Sequence, residues 1–276
     1  MTLADAHIHF FRRGFPGPYG ASLLRSDIEA YELLRSAHDI AAALIVGYEG
    51  LAIDPGNNAY IRELARTRPW MATVGHVDDI AVAGEATVEA LLAAGHAGIA
   101  LYAPDAATAR LVATRPAGFW TVLDRAGAII SLNAPPEAIA ELGPVVAAAP
   151  DCRFLFSHVG LPGAHPRVPS REAAEARIAP LLALAPMPNV FVKISGLYAI
   201  SMPEHAWPHE AARPFIDAVL DRFGAARCLW ASDFPPALDL VSFAQTVDNP
   251  LLGGLAPAER AAVMGGNLLR LLGRAS

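Results

Sequence analysis

Cysteine is scarce in this chain of 276 residues, which holds only Cys152 and Cys228. Neither belongs to a Cys-x-x-Cys pair, which excludes a disulfide framework and a thiolate metal site of that spacing. Each opens an apolar stretch, as a buried free thiol does, and the expected compartment is the cytoplasm. Charge is sparse too, at 17% of residues, and it leans acidic, with a formal net charge of −6. No basic run or basic–aromatic interleaving occurs, so nucleic acid and anionic membrane surfaces are not expected partners. The longest apolar run lies around Ile40–Tyr48, far short of the ~20 residues a membrane span requires. The first residues carry no charged-then-apolar leader, so no secretory signal is expected. A Gly-rich phosphate loop after the first apolar stretch is also missing. His9-Phe10-Phe11-Arg12-Arg13 stands in its place, which argues against a dinucleotide-binding sheet.

Hydrophobic residues are abundant, at 54%, enough for an extensive core. Strands are expected at Leu3–His9, Ala42–Tyr48, Met71–Val77, His96–Tyr102, Ala128–Asn133, Arg153–Val159, Asn189–Ser195 and Cys228–Asp233. Helical spacing fills Asp27–His38, where Ile28, Tyr31, Leu34 and Ala37 form one stripe and Ser26 or Asp27 is the N-cap. It recurs at Asn58–Arg68, Thr87–Ala94, Phe119–Ala126, Ala138–Ala148, Glu172–Leu184 and Arg213–Phe223. Eight strands alternating with helices predict parallel βαβ units closed into one (β/α)8 TIM barrel, a single domain over 1–276. An extra C-terminal helix, Ala256–Leu272, should cover the barrel's outside or bottom.

Active sites of this fold form at the C-terminal ends of the strands. The first predicted strand ends in His7 and His9, which share a face, with Asp5 expected one layer below. The sixth ends in His158, on the parity of Phe154 and Phe156. The seventh places Lys193 and Ser195 on one face, the eighth ends in Asp233 and the fifth in Asn133. Taken singly, His158 fits a core histidine, Lys193 a snorkelling side chain and Asp233 a turn cap. Taken together, burying two histidines, a lysine and an aspartate in one mouth is costly unless they pair or hold something.

These stretches also carry a family resemblance. Asp-Ala-His-Ile-His-Phe at the start, Phe-Ser-His-Val-Gly (156–160), Val-Lys-Ile-Ser-Gly-Leu-Tyr (192–198), Trp-Ala-Ser-Asp-Phe-Pro (230–235) and Gly-Gly-Asn-Leu-Leu-Arg-Leu (265–271) run the length of the chain in order. They resemble the amidohydrolase superfamily, and within it the "amidohydrolase 2" branch of 2-pyrone-4,6-dicarboxylate lactonase, sugar-acid lactonases and 4-sulfomuconolactone hydrolase. The resemblance implies a distorted TIM barrel that hydrolyses a lactone or a similar ester or amide bond. It makes Asp233 the general base. It makes His7, His9 and His158 either ligands, with Asp233, of one divalent ion (Zn or Mn) or direct polarisers of the carbonyl in metal-free catalysis. Binuclear relatives carry a lysine on the fourth strand, and none stands in His96–Tyr102, so two metals are not expected. Many relatives place an arginine there for a substrate carboxylate. Here Ala100 and Leu101 leave that task to Arg12, Arg13, Arg167 or Lys193.

The expected activity is hydrolysis of a small-molecule lactone, with Lys193, Asn133, Tyr198, Arg167 and Ser195 binding the substrate. Two loops are candidate rims: Gly160–Arg171, with His165 and Arg167, and Tyr198–His209, with His205, Trp207 and His209. A metal-dependent decarboxylase on the same barrel is the nearest rival, though Asn133 replaces the histidine that related decarboxylases carry there. A non-catalytic ligand-binding barrel is the rival of another class. A phosphotriesterase-like enzyme lacks its bridging lysine. A homo-oligomer is compatible with the chain.

Overall fold

Eight short stretches rich in Ala, Ile, Leu and Val become eight parallel strands that pair in chain order. The computed structural model describes residues 1–15, 26–49 and 54–274. The strands are β1 (Leu3–Ile8), β2 (Ile40–Val46), β3 (Met71–His76), β4 (Gly98–Tyr102), β5 (Ile129–Asn133), β6 (Arg153–Phe156), β7 (Val190–Ile194) and β8 (Cys228–Trp230). Helices α1 (Asp27–Ala37), α2 (Asn57–Ala65) and α3 (Glu85–Ala93) follow the first three strands. Both α4 (Ala106–Ala113) and α5 (Ala117–Arg125) lie between β4 and β5, and α6 (Pro136–Ala148) precedes β6. Then come α7 (Arg171–Arg177), α8 (Ala179–Leu182), α9 (Arg213–Phe223), α10 (Phe243–Val247), α11 (Pro257–Ala261) and α12 (Asn267–Leu271). This is the expected (β/α)8 barrel.

The differences from expectation have local causes. Helix α4 replaces an expected loop, with Asp105 capping it by accepting from the Thr108 N–H. The expected Glu172–Leu184 helix is split at Ile178, just before Pro180, which cannot continue the ladder. Ser26 caps α1 as expected, in a capping box with Glu29. The C-terminal helix is interrupted by one π turn at Ala262–Gly266. Its end closes the bottom of the barrel: Leu268, Leu269 and Leu271 join Ala4, Ala6, Ala42 and Val74. Asn267 of this helix ties it to the start of β8 by donating to the Cys228 carbonyl. Both cysteines are buried and free, as expected. Among the described residues, no helix is long and apolar enough to cross a membrane.

Between β8 and β1 the barrel closes without a long ladder. His9 N–H donates to the Phe234 carbonyl at 2.8 Å, and Asp233 N–H to the His7 carbonyl at 3.0 Å. Asp5 reinforces this seam. Its Oδ1 accepts from the backbone N–H of His7 (3.3 Å) and of Ser232 (2.9 Å), and its Oδ2 from the Tyr31 hydroxyl of α1 (3.1 Å). Register explains how it reaches them. Asp5 pairs with Ala43 and Ile8 with Ile45, so β1 holds one residue more than β2 over that span. The resulting bulge turns Asp5 to the helical layer and His7 to the interior. This corrects the expectation that Asp5 shares the face of the two histidines.

Replacing Asp5 by Ala leaves two backbone donors and one phenol unpaired in a fully buried position. Asp5→Ala is expected to lower unfolding free energy by about 2–4 kcal/mol, and Tyr31→Phe by about 1 kcal/mol. Urea unfolding of both variants checks this, with an unchanged denaturant slope showing that the folded state keeps its compactness.

Candidate active site

The C-terminal ends of β1, β6, β7 and β8 bring His7, His9, His158, Lys193, Ser195 and Asp233 into one mouth. His7 Nε2 lies 3.0 Å from His9 Nε2 and 3.8 Å from Asp233 Oδ1. His158 Nδ1 lies 3.9 Å from Asp233 Oδ2 and 3.0 Å from Ser195 Oγ. The Tyr198 hydroxyl donates to Asp233 Oδ2 at 2.7 Å. Lys193 is completely buried; its Nζ donates to Ser131 Oγ at 2.7 Å and stands 3.0 Å from His7 Nδ1.

Two of these residues arrive by irregular backbone. Strand β6 stops at Phe156, and parity would have sent His158 outward with Phe154 and Phe156, which pack in the helix-facing core. Instead His158, Val159, Gly160 and Leu161 all take positive φ, from 49° to 75°, and the turn swings the imidazole into the mouth. Asp233 also has φ 59°. Such conformations cost energy for non-glycine residues and persist where surrounding contacts over-determine them. Gly196, at φ 60°, lies against His158, and a Cβ there would collide with the imidazole.

Other expected residues take varied places. Asn133 ends β5, partly exposed, on the face of Ser131 and without a side-chain hydrogen bond to another described residue. Arg167 is exposed and forms no ion pair among the described residues, so the structure does not bring it to the site. Arg12 pairs with Glu63 at 3.8 Å and lies over the Tyr60 ring. In the rims, His165 packs on Phe215 and Trp207 donates to the Gln245 carbonyl. His209 is buried and His205 exposed. The serines Ser131 and Ser157 were not foreseen, and Ser157 Oγ lies 3.2 Å from His7 Nδ1. Their signal was inward parity: each belongs to the face of Leu155 or Asn133.

Burial sets the protonation of this cluster. It pushes His9 down to about 4, against the opposing pull of the Asp233 charge and the Val46 carbonyl. Burial also lowers His7, helped by the repulsion it would meet from Lys193 and from His9 and His158 in their protonated forms. His158 is lowered by burial, with Asp233 opposing. Lys193 is brought down to about 7 by burial, against Asp233 and Asp5. The imidazoles are therefore neutral at pH 7, each with one lone pair. His9 Nδ1 lies 2.7 Å from the Val46 carbonyl, which only accepts, so its proton sits there and Nε2 carries a lone pair directed at His7 Nε2, 3.0 Å away. That anchoring by a backbone carbonyl is typical of a metal-bound histidine. His7, His158 and Asp233 can each present a ligand atom within 4.8 Å of the others. Two imidazoles and a carboxylate suit a catalytic zinc or similar ion. His9 stands beside this trio, next to His7.

A parallel barrel with imidazoles and an acid converging at its C-terminal mouth defines a class of enzyme scaffold. The comparisons specify it: the amidohydrolase family model matches residues 4–274, and the chain belongs to that enzyme family. An L-fucono-1,5-lactonase from Burkholderia ambifaria is 32% identical over 127 residues, which cover 43% of this chain and 40% of that protein. The chain's match thus spans less than half the length of this curated relative. Solved structures share the whole fold. A zinc-bound amidohydrolase from Burkholderia multivorans superposes with a TM-score of 0.78 at 22% identity, over 100% of both chains. A probable 2-pyrone-4,6-dicarboxylic acid hydrolase from Acinetobacter baumannii, with citric acid bound, gives 0.74 at 16% identity, over 99% of this chain and 100% of that one. A 2,6-dihydroxybenzoate decarboxylase from Rhizobium gives 0.63 at 16% identity, over 99% of both.

Stability should depend on pH through these histidines. His9, His76, His96 and His209 are each pushed to about 4 by burial, against ~6.5 when unfolded. Between those values the unfolded chain binds more protons, so stability rises with pH there. Asp5, raised to about 6 by burial, acts in the opposite sense between ~4 and 6, but it is one group against four. Urea midpoints are expected to fall steadily as pH is lowered from 7 to 4.5, and to go on rising from 7 to 8, where Lys193, brought to about 7, has lost its proton in the folded state but not in the unfolded one.

Proposed function

We propose that the protein opens a small lactone by adding water to its carbonyl. The observation that carries this reading is the Asp233 carboxylate, held by the Tyr198 hydroxyl and set within 4 Å of two neutral imidazoles. Asp233 takes a proton from water as the water oxygen bonds to the carbonyl carbon. The carbonyl electrons move onto oxygen, and His7 and His158 stabilise that developing charge. When the tetrahedral species collapses, the ring C–O bond breaks and Asp233 returns its proton to the leaving oxygen. The product is a hydroxy acid.

Lys193 and Ser157 support His7 from behind, at its Nδ1. When Lys193 donates to that atom, the His7 proton lies on Nε2, where it can donate to an oxyanion. When His7 Nδ1–H donates to Ser157, Nε2 becomes a ligand. His7, His158 and Asp233, with His9 beside them, would hold one divalent ion such as Zn²⁺ or Mn²⁺, which would supply Lewis acidity toward the carbonyl. The zinc-bound relative and the lactonase relative support this reading. Decarboxylation is the alternative on the same fold, and Asn133 at the end of β5 weighs against it.

Asp233→Asn is expected to reduce lactone turnover by about 10³–10⁴-fold, with an unchanged circular dichroism spectrum. Acid release read with a pH indicator checks this, and CO₂ release from aromatic acids would favour the decarboxylase instead. Elemental analysis should find one divalent ion per chain, and chelation should abolish activity that Zn²⁺ or Mn²⁺ restores. A chelation-indifferent rate in metal-free protein would leave direct polarisation by the imidazoles as the mechanism.

A further inference from the structure

The barrel's strand order sets the ends of β2, β3 and β4 opposite the ends of β6, β7 and β8. Three aromatic rings stand there, none of them used by the proposed chemistry. Tyr48 and His76 stack with centroids 5.4 Å apart and an interplanar angle of 13°. Tyr102, the last residue of β4, meets both edge-on, at 5.0 Å and 5.1 Å. His76 and Tyr102 share the inward parity of Val74 and Ala100.

Two donors on this wall have no hydrogen-bond partner among the described residues. The Tyr102 hydroxyl is buried without a hydrogen bond to any described residue. Burial, with the nearby Asp233 charge, holds that phenol protonated. His76 Nδ1 accepts from the Glu49 N–H at 2.9 Å, and burial keeps the ring neutral by pushing it to about 4. Its proton is therefore on Nε2, for which no described residue serves as acceptor. A buried donor left unpaired, as the Tyr102 hydroxyl is, is costly, so a ligand oxygen is its natural acceptor, and His76 Nε2–H offers a second donor from the same wall.

Among the described residues, the cations considered for a substrate carboxylate are committed elsewhere or lie outside, Arg13 being exposed. Lys193 is taken up by Ser131 and His7, Arg12 by Glu63 and Tyr60, and Arg167 is exposed. We propose that Tyr48, His76 and Tyr102 form the substrate-recognition wall, against which an uncharged ring packs while its oxygens accept from the Tyr102 hydroxyl and His76 Nε2–H. The wall thus selects neutral rings over dicarboxylates. Its assignment to substrate rests on the lactone-hydrolase reading; its preference for neutral rings can be measured without turnover.

The test uses Asp233→Asn protein, with its metal content matched between all variants compared, and calorimetric titration at pH 6.5. The probes are D-glucono-1,5-lactone, D-galactono-1,4-lactone and δ-valerolactone as neutral rings, and isophthalate as a dianionic one. At least one lactone should bind about ten-fold or more tightly than isophthalate, and adding Tyr102→Phe should weaken that lactone by about 5–30-fold, the loss of one hydrogen bond to a buried donor. The isosteric change keeps the ring, so circular dichroism should not move. In otherwise native protein, Tyr102→Phe should raise KM for that lactone more than it lowers kcat, and leave the pH profile unchanged. Isophthalate binding as tightly as every lactone, or a Tyr102→Phe effect below two-fold, overturns the proposal. A lactone held through Tyr102 but not hydrolysed by the native protein would sink the hydrolase reading and leave the wall standing.

Discussion

Closure of the barrel between β1 and β8 is the constraint on which the site depends. Regular strand pairing there is short, and the seam is held by Asp233 N–H to the His7 carbonyl, His9 N–H to the Phe234 carbonyl, and the Asp5 carboxylate bridging His7 and Ser232. These bonds fix the proposed base and the first imidazole on adjoining backbones, which is why Asp233 Oδ1 and His7 Nε2 lie 3.8 Å apart. They also over-determine the left-handed conformation of Asp233. A carboxylate on a free loop would not stay there.

Behind that seam the mouth is a buried polar network rather than a set of exposed groups. Ser131 receives Lys193, while Ser157 and Ser195 stand at hydrogen-bond distance from His7 and His158. Each buried polar atom that finds a partner in this way avoids the penalty of desolvation. Burial at the same time keeps the imidazoles neutral, and neutral imidazole is the form that can either ligate a cation or donate to an oxyanion. Electrostatics and packing thus bear on the same chemistry, and the two donors without a partner among the described residues, on Tyr102 and His76, lie on the opposite wall.

The barrel is shared with solved proteins at 16–22% identity, so the framework tolerates wide sequence change. Ladder bonds and an apolar interior of Ala, Leu and Val demand pattern rather than identity. What separates such barrels chemically is the handful of side chains that end the strands.

Much of this was legible in the sequence. Eight apolar stretches alternating with helical ones specified the barrel, and polar residues ending those stretches marked His7, His9, Lys193, Ser195 and Asp233. Tyr198, read as a rim residue, proved to hold Asp233. The same strand-end signal stands at Tyr102 and near the end of β3 at His76, which composition alone does not separate from core aromatics. Asp5 shows where such reading stops, and His158, expected in the mouth and found there, reaches it by a route that alternation did not describe. A bulge turned the first toward the helices, and a run of positive φ turned the second into the mouth. Arg167, credible by charge and loop position, ended in solvent. Alternation along a strand is a local property, written in the order of residues, and so are the caps and breaks of helices. Bulges, left-handed turns and the closing seam exist only because distant strands pair in one register, and that register emerges from the folded barrel as a whole.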